Sequence, residues 1–355
     1  MILSGKKKED RFGMKERLES FLLKSIQRKV FTGASYAIRK GKQLTVNGIG
    51  MLGETKQPVN KETLFDMASC TKLLISLAFM RLMEEGRIAL TDPVERYLPA
   101  WSGFPSGKIT MFELLTHTST LPAHIPLYQI SRGREEAFEV LKCLPPRRSQ
   151  GVEYSCLGFI VLGLVLEGLT GLPLDKLVAQ YVTGPLEMRN TGYCPDKAKE
   201  NIMPTEYCEW RKRLLVGEVH DENAFHLGGI SGNAGIFSNI SDMTRLADAL
   251  LSKEEEGSNG FLHKRSILVM TRNYTEGLGE NRGLGWCVKN TPDLTAGEYF
   301  SEKSFGHTGY TGTSVWIDPE NDCYAILLTN RVFYSRDIAE IRHVRQVFHN
   351  LAMLL

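Results

Sequence analysis

Ser69-Cys70-Thr71-Lys72 places a hydroxyl and an amine three residues apart, in the context LFDMASCTKLLISLAFMRLMEEG, where a short apolar lead-in meets the start of a long apolar helix. At about 3.6 residues per turn, positions i and i+3 share a face, so the amine reaches the hydroxyl and can withdraw its proton. The start of a helix also puts partial positive charge near an oxyanion formed by attack of that hydroxyl. The spacing alone carries little, because Ser4-Gly5-Lys6-Lys7 repeats it near the N-terminus with nothing around it to react. Taken singly, Ser69 reads as an ordinary helix-start serine and Lys72 as a solvated lysine.

Two further segments add to it. Gly151-Val152-Glu153-Tyr154-Ser155-Cys156-Leu157-Gly158 sets a tyrosine just ahead of a helix, and Gly306-His307-Thr308-Gly309-Tyr310-Thr311-Gly312-Thr313 precedes a strand ending at Ile317. S-x-x-K, then Y-S-x, then H-T-G, in this order and at wide spacing, resembles the serine β-lactamase and penicillin-binding-protein superfamily, in particular its class-C-like branch of esterases, peptidases and amidases. Ile109 to Ser119 (ITMFELLTHTS) and Ile317-Asp318-Pro319-Glu320-Asn321-Asp322 are similar to further signatures of that branch, so the resemblance covers nearly all of residues 14–355.

The resemblance implies Ser69 as the acylated nucleophile, Lys72 as its proton acceptor and Tyr154 as general base or proton shuttle to the leaving group. It implies an oxyanion hole from the backbone N–H groups of Ser69 and Tyr310, the latter on a strand beginning at His307-Thr308-Gly309, with Cys156, His307, Thr308 and Gly309 against the substrate. A phenol near pKa 10 is a poor base unless a cation stabilises its anion, and Lys72 is the nearest cation. Two departures bear on the substrate. Cys156 stands where many relatives carry asparagine, and a thiol cannot replace an amide's donors and acceptor. His307 stands where lysine is common, and an imidazole near pKa 6.5 makes carboxylate recognition weaker and pH-dependent. Both point away from an efficient penicillinase, toward esters and other amide or peptide substrates.

Elsewhere the reactive-looking residues have plainer readings. Val219 to Gly235, rich in His, Asp, Glu and Gly, lacks H-E-x-x-H metal spacing and a phosphate-loop pattern, and reads as a tight loop at the cleft rim. Cys70 reads as a small buried residue, and His117 and His124 as structural. A less favoured reading of Cys156 is that neighbouring Lys72 lowers its pKa and makes it oxidisable. No metal or organic cofactor is called for.

Forty-three Lys and Arg against forty-one Asp and Glu leave a formal charge of +2, so no strong field favours nucleic acid or an anionic membrane. The longest apolar stretch, Leu157 to Leu166, falls far short of the about 20 residues that cross a bilayer. MILSGKKKEDRFG shows no secretory pattern and the seven cysteines form no C-x-x-C pair, which points to a cytoplasmic protein with reduced thiols. The partner expected is a small molecule or short peptide, with no nucleic acid and no membrane. The oligomeric state is open.

The elements that must position these residues are legible in outline. Residues 1–13, charged and with little to bury, read as a disordered, solvated tail. From Met14 the apolar positions Leu18, Phe21, Leu22 and Ile26 predict a first helix, and Ile338, Ile341, Val344, Phe348 and Leu351 a closing one. GASYAIRKGKQLTVNGIGMLG predicts a hairpin about Lys40-Gly41-Lys42, and TSVWI with CYAILLTN a second about 318–322. Between them 69–85, 110–116, 155–169, 174–182 and 241–251 have helical spacing. The expectation is an α/β protein of the β-lactamase/transpeptidase-like kind: an antiparallel sheet flanked by helices (14–65 and 236–355) with an inserted, mostly helical domain (66–235). The leading function is a serine hydrolase working through an acyl-enzyme. The rivals are a non-catalytic binding or assembly protein on the same fold, and a zinc hydrolase.

Overall fold

The computed structural model describes residues 2–145, 151–196, 198, 200–252, 261–289 and 295–355, with side chains from residue 13 onward. Six strands make one antiparallel sheet in the order β2-β1-β11-β10-β9-β8: β1 (Gly33–Lys40), β2 (Gln43–Gly50), β8 (Cys287–Val288), β9 (Phe305–Thr308), β10 (Ser314–Asp318) and β11 (Cys323–Thr329). The first expected hairpin is β1–β2, with Lys40 opposite Gln43 and Gly41 at φ 59° in the two-residue turn, a left-handed value that glycine adopts without strain. The second is β10–β11, with Asp318 opposite Cys323. Its turn is tied by the Asp318 carboxylate, which accepts from the N–H groups of Glu320 and Asn321. Strands near both chain ends meet where β1 pairs with β11, Tyr36 opposite Leu327.

Helices α1 (Ile2–Gln27) and α11 (Ala339–Leu354) cover one face of this sheet. Leu18, Leu22, Ile341, Val344 and Phe348 pack there against Tyr36, Ile38, Trp316 and Leu327. Alternate strand residues, Ala37, Val315, Ile317, Tyr324, Ile326 and Leu328, point the other way into the larger core. That core holds α2 (Thr71–Glu84), α3 (Met111–Thr116), α4 (Leu127–Ile130), α5 (Arg134–Cys143), α6 (Cys156–Thr170), α7 (Leu174–Val178), α9 (Ile240–Leu251) and α10 (Lys264–Met270), while α8 (Glu222–His226) packs through Ala224 and Phe225 in a small separate cluster with Val219 and Ala234. Short strands β3 (Phe65–Asp66), β4 (Gly192–Tyr193) and β7 (Ile236–Ser238) form a three-stranded sheet beside α2, and β5 (Tyr207–Cys208) pairs with β6 (Arg213–Leu214). Helix α2 is buried from Thr71 to Met80, as a helix apolar on all sides must be. Among the described residues no single helix is long and apolar enough to cross a membrane.

Three expectations need correction. Residues 1–13 are helical from Ile2 on, continuous with the buried part of α1. Lys6, Lys7, Lys8 and Glu9 are good helix formers, and a helix nucleated by packed residues extends past them at small cost. Second, α7 stops at Val178 and Ala179–Thr183 widens into a π-type turn closed by the Gly184 N–H on the Ala179 carbonyl. Third, His307 and Thr308 end strand β9 instead of beginning a strand, and 309–313 is the turn into β10. Helices α5 and α10 were not legible: α5 sets its apolar residues among charges, and α10 is seven residues with its apolar ones in one unbroken run, Ile267 to Met270, that shows no helical period.

Adjacent leucines on α1 test the assignment of its buried face. Leu22 is fully buried and Leu23 is 47% exposed. Leu22→Ala is expected to lower unfolding stability by about 2–5 kcal/mol and Leu23→Ala by about 0.5 kcal/mol or less, measured by urea denaturation. Equal losses would contradict this packing.

Candidate active site

The approach to Ser69 is built by its backbone. Asp66, at the end of β3, is buried and accepts from the Ala68 N–H at 2.8 Å and the His220 N–H at 2.7 Å. Burial pushes its carboxyl pKa up, against these two N–H groups that stabilise the anion. The donor of the first of these bonds, Ala68, sits at φ 45°, a strained value for a residue with a Cβ. A single 3-10 turn, Ala68–Cys70, then runs directly into α2. Ser69 therefore stands half-exposed at a helix start, where the first amides lack an intrahelical acceptor.

Lys72 lies one turn on and is fully buried. Its Nζ donates to Ser69 Oγ at 3.0 Å and to the Asn233 carbonyl at 3.0 Å, with Cys156 Sγ 3.7 Å away. The rings of Tyr154 and Phe159 face the same amine at 5.0 and 5.7 Å from their centroids. Desolvation works against this charge, but the acidic groups of Cys156 and Tyr154 beside it outweigh that and hold the Lys72 pKa above the ordinary lysine value. The Tyr154 phenol is also raised, by burial, although Lys72 and Ser69 are close enough to favour its anion. At neutral pH the site rests as ammonium and phenol, and the pair must lose one proton before either member can take one from Ser69.

Tyr154 owes its place to the residues around α6. Ser155 caps that helix through the Gly158 N–H and donates to the Pro122 carbonyl, while its own N–H donates to His117 Nδ1. The His117 ring lies 4.6 Å from that of Tyr154, and burial holds its pKa well below 6.5. His117 thus positions the phenol as a neutral structural group.

The 309–313 turn passes directly over Ala68. A Cβ on Gly309 would fall 2.1 Å from Thr313 Oγ1 and 2.5 Å from the Met67 carbonyl, so only glycine lets the two segments meet. Arg345, buried on α11, donates to the carbonyls of Gly309 and Thr313 at 2.6 and 2.8 Å. Arg331 Nε donates to the Tyr310 carbonyl at 2.7 Å. The Tyr310 N–H has no acceptor among the described residues, which leaves it available beside Ser69.

A cavity of about 310 Å³ opens here, lined by Ser69, Tyr154, His307, Thr308, Gly309 and Tyr310, a size suited to a small ligand. Arg282, Arg331, Arg342 and Arg345 also line it, against the one carboxylate of Glu280. Arg331 and Arg345 donate to backbone carbonyls, and among the described residues neither forms an ion pair with a carboxylate. Sequence reasoning missed these arginines because they are scattered from the segment before β8 to α11 and share no motif. They also correct the expectation for His307. Burial and the nearby Arg282 and Lys72 hold the His307 pKa well below 6.5, and its Nδ1 faces the Thr308 carbonyl, so the ring stays neutral and adds no pH-dependent charge. Any carboxylate bound here meets guanidinium instead. The less favoured reading of Cys156 does not hold: burial pushes its pKa up and Lys72 only partly offsets this, so the thiolate is disfavoured.

The segment at 219–235 lies at the rim as expected but is not all loop: it contains helix α8, and its Asn233 carbonyl reaches inward to hold Lys72. Its His220 and Asp221, with Glu222, His124 and Arg336, line a second cavity of about 150 Å³ that also contains Ser69 and Tyr310.

The sequence profile of the Beta-lactamase family matches residues 17–348. A protein of Salmonella enteritidis PT4 named "Putative D-alanyl-D-alanine carboxypeptidase" is 30% identical over 303 residues, covering 76% of this chain and 69% of the relative. Among solved structures, EstCE1, a hydrolase with promiscuous acyltransferase activity, superposes with a TM-score of 0.74 at 23% identity over 95% of this chain and 99% of its own. The β-lactamase/D-alanine carboxypeptidase from Pseudomonas syringae superposes with a TM-score of 0.76 at 18% identity over 95% and 98%. At these identities the structural likenesses establish the antiparallel-sheet α/β fold.

The raised pKa values of Lys72 and Tyr154 give a sign for the pH dependence. The competent site has one proton fewer than the resting one, so kcat/KM for a neutral ester is expected to rise about tenfold per pH unit between pH 6 and 8, corrected for spontaneous hydrolysis. A flat profile, or an optimum below pH 7, would contradict a catalytic pair held above neutrality.

Proposed function

The chain belongs to the Beta-lactamase family, and from that premise we propose that it is a serine acyl hydrolase with Ser69 as nucleophile and Lys72 and Tyr154 as its proton-handling pair. The observation that carries this reading is the buried Lys72 amine 3.0 Å from a half-exposed Ser69 hydroxyl, with the Tyr154 phenol against both at one wall of a cavity. Ser69 Oγ attacks the carbonyl carbon while its proton passes to the singly deprotonated pair. The Ser69 and Tyr310 N–H groups receive the developing oxyanion. The pair then protonates the leaving group as the carbonyl–leaving-group bond breaks, and the acyl group remains as an ester on Ser69. Water, deprotonated by the same pair, releases the acid and restores the hydroxyl.

The substrate class we propose is short peptides or amides with a D-amino acid at the scissile bond, such as fragments of cell wall, with carboxylic esters as the second reading. The carboxypeptidase name of the Salmonella relative supports the first, and so does the excess of guanidinium over carboxylate in the 310 Å³ cavity, which suits a leaving group carrying a carboxylate. The size of that cavity and the intrinsic reactivity of esters support the second. β-Lactam turnover is expected to be slow, since Cys156 offers no amide to the lactam side chain and neutral His307 no charge.

A fluorophosphonate probe tests the enzyme reading against a non-catalytic module. Labelling of the wild type that disappears in Ser69→Ala is expected, and an unlabelled but folded wild type would overturn the proposal. A screen of p-nitrophenyl esters, D-alanyl-D-alanine peptides and nitrocefin should show Ser69-dependent turnover of one of the first two. Nitrocefin hydrolysis at about 10 per second or more, an ordinary enzymatic rate, would contradict the assignment of substrate class.

A further inference from the structure

Ser69 and Tyr310 border two cavities of opposite character. The larger carries Arg282, Arg331, Arg342 and Arg345 with Glu280. The smaller, of about 150 Å³, carries Asp221, Glu222 and Arg336 besides His124 and His220. Glu222 and Arg336 also line a neighbouring groove of about 460 Å³ that adds Glu206 and Glu209 to the wall and the aromatic side chains of Tyr207, Trp210, Phe333 and Tyr334. Across these two spaces the guanidinium of Arg336 faces four carboxylates. It pairs with Glu206 and with Glu222, the latter at 2.8 Å, and Glu209 pairs with Lys212 outside the groove. Asp221 accepts from the Ala224 N–H, and its carboxylate has no ion pair among the described residues. His220 is 4% exposed, and its Nε2 stands 3.2 Å from Glu206 but off the line of a hydrogen bond. Tyr207 and Trp210 stand open at 55% and 49% exposure.

The position of Tyr154 gives these cavities their order along a substrate. The group that protonates the departing atom borders the larger, basic cavity and is absent from the walls of the smaller one. A substrate with its carbonyl at the Ser69 and Tyr310 amides therefore sends its leaving group to the arginines and its acyl group toward Asp221 and Glu222. We propose that the acidic cavity, with its aromatic rim, is a subsite for a positively charged acyl group, so that the enzyme selects acyl donors bearing an ammonium a few bonds from the scissile carbonyl. Carboxylates without a full complement of cations attract the charge, and the exposed ring of Tyr207 favours it further out. This rests on the acyl-hydrolase reading and adds to it the charge of the acyl half.

Two esters of nearly equal size, p-nitrophenyl 6-aminohexanoate and p-nitrophenyl heptanoate, test it on the full chain. The cationic ester is expected to have a kcat/KM about tenfold higher at low salt, with the ratio falling toward one in Asp221→Asn and in Glu222→Gln. It should fall in the wild type as well between about 0.05 and 0.5 M salt, which serves if either variant fails to fold. Equal kcat/KM values, or a preference for heptanoate, would overturn the subsite and leave the hydrolase reading intact. A preference for the cationic ester that neither salt nor the variants diminish would also overturn it. No Ser69-dependent turnover of either ester would sink the hydrolase reading itself.

Discussion

An ammonium buried without a carboxylate is the constraint on which the remainder of this structure depends. Lys72 is fully enclosed, and its partners are a hydroxyl, a backbone carbonyl, a thiol and two aromatic faces. Among the described residues no acid forms an ion pair with it. A carboxylate there would fix the proton on the amine, whereas weak acids such as phenol and thiol leave it transferable at a cost of a few kcal/mol. The same arrangement explains why both Lys72 and Tyr154 sit above their usual pKa values while remaining close enough to exchange a proton.

Holding that arrangement requires backbone from four distant parts of the chain. Asp66 fixes the strained approach to Ser69 and, through the His220 N–H, the start of the rim loop. Asn233 at the far end of that loop supplies the carbonyl for Lys72. Arg345 and Arg331 hold the 309–313 turn by its carbonyls, so the Tyr310 N–H faces the cleft while the guanidinium charge remains in the adjoining cavity. In the proposed reaction, the geometry of the oxyanion site and the charge of the leaving-group cavity thus come from the same side chains. The acidic cavity on the other side of Ser69 gives the cleft two ends of opposite charge, which the proposed subsite assigns to the acyl and leaving groups.

How much of this was legible in the sequence follows from how local each signal is. Ser69 and Lys72 share one helical turn, and both hairpins are set by turn residues next to their strands, so a reading of neighbouring residues found them. Tyr154 was found through the order of motifs, and the structure brings it to the other two. The arginines of the basic cavity, Asp66, and the acidic wall from Glu206 to Glu222 are meaningful only once β3, β9–β11, α11 and the rim loop meet. No periodicity marks such a meeting. The pH dependence expected of His307 failed because reference pKa values describe solvated groups, and complete burial keeps this ring neutral throughout. The tail at 1–13 was misread for a different reason, because helix propensity continues past the last residue that packing needs.

The most direct test is to trap the covalent intermediate. An acid quench during turnover of a p-nitrophenyl ester, followed by proteolysis and mass spectrometry, should find the acyl mass on the peptide containing Ser69, and no such adduct in Lys72→Ala at the same time point. Turnover with the acyl group on another residue, or undiminished acylation of Ser69 without the Lys72 amine, would contradict a serine activated by its buried lysine.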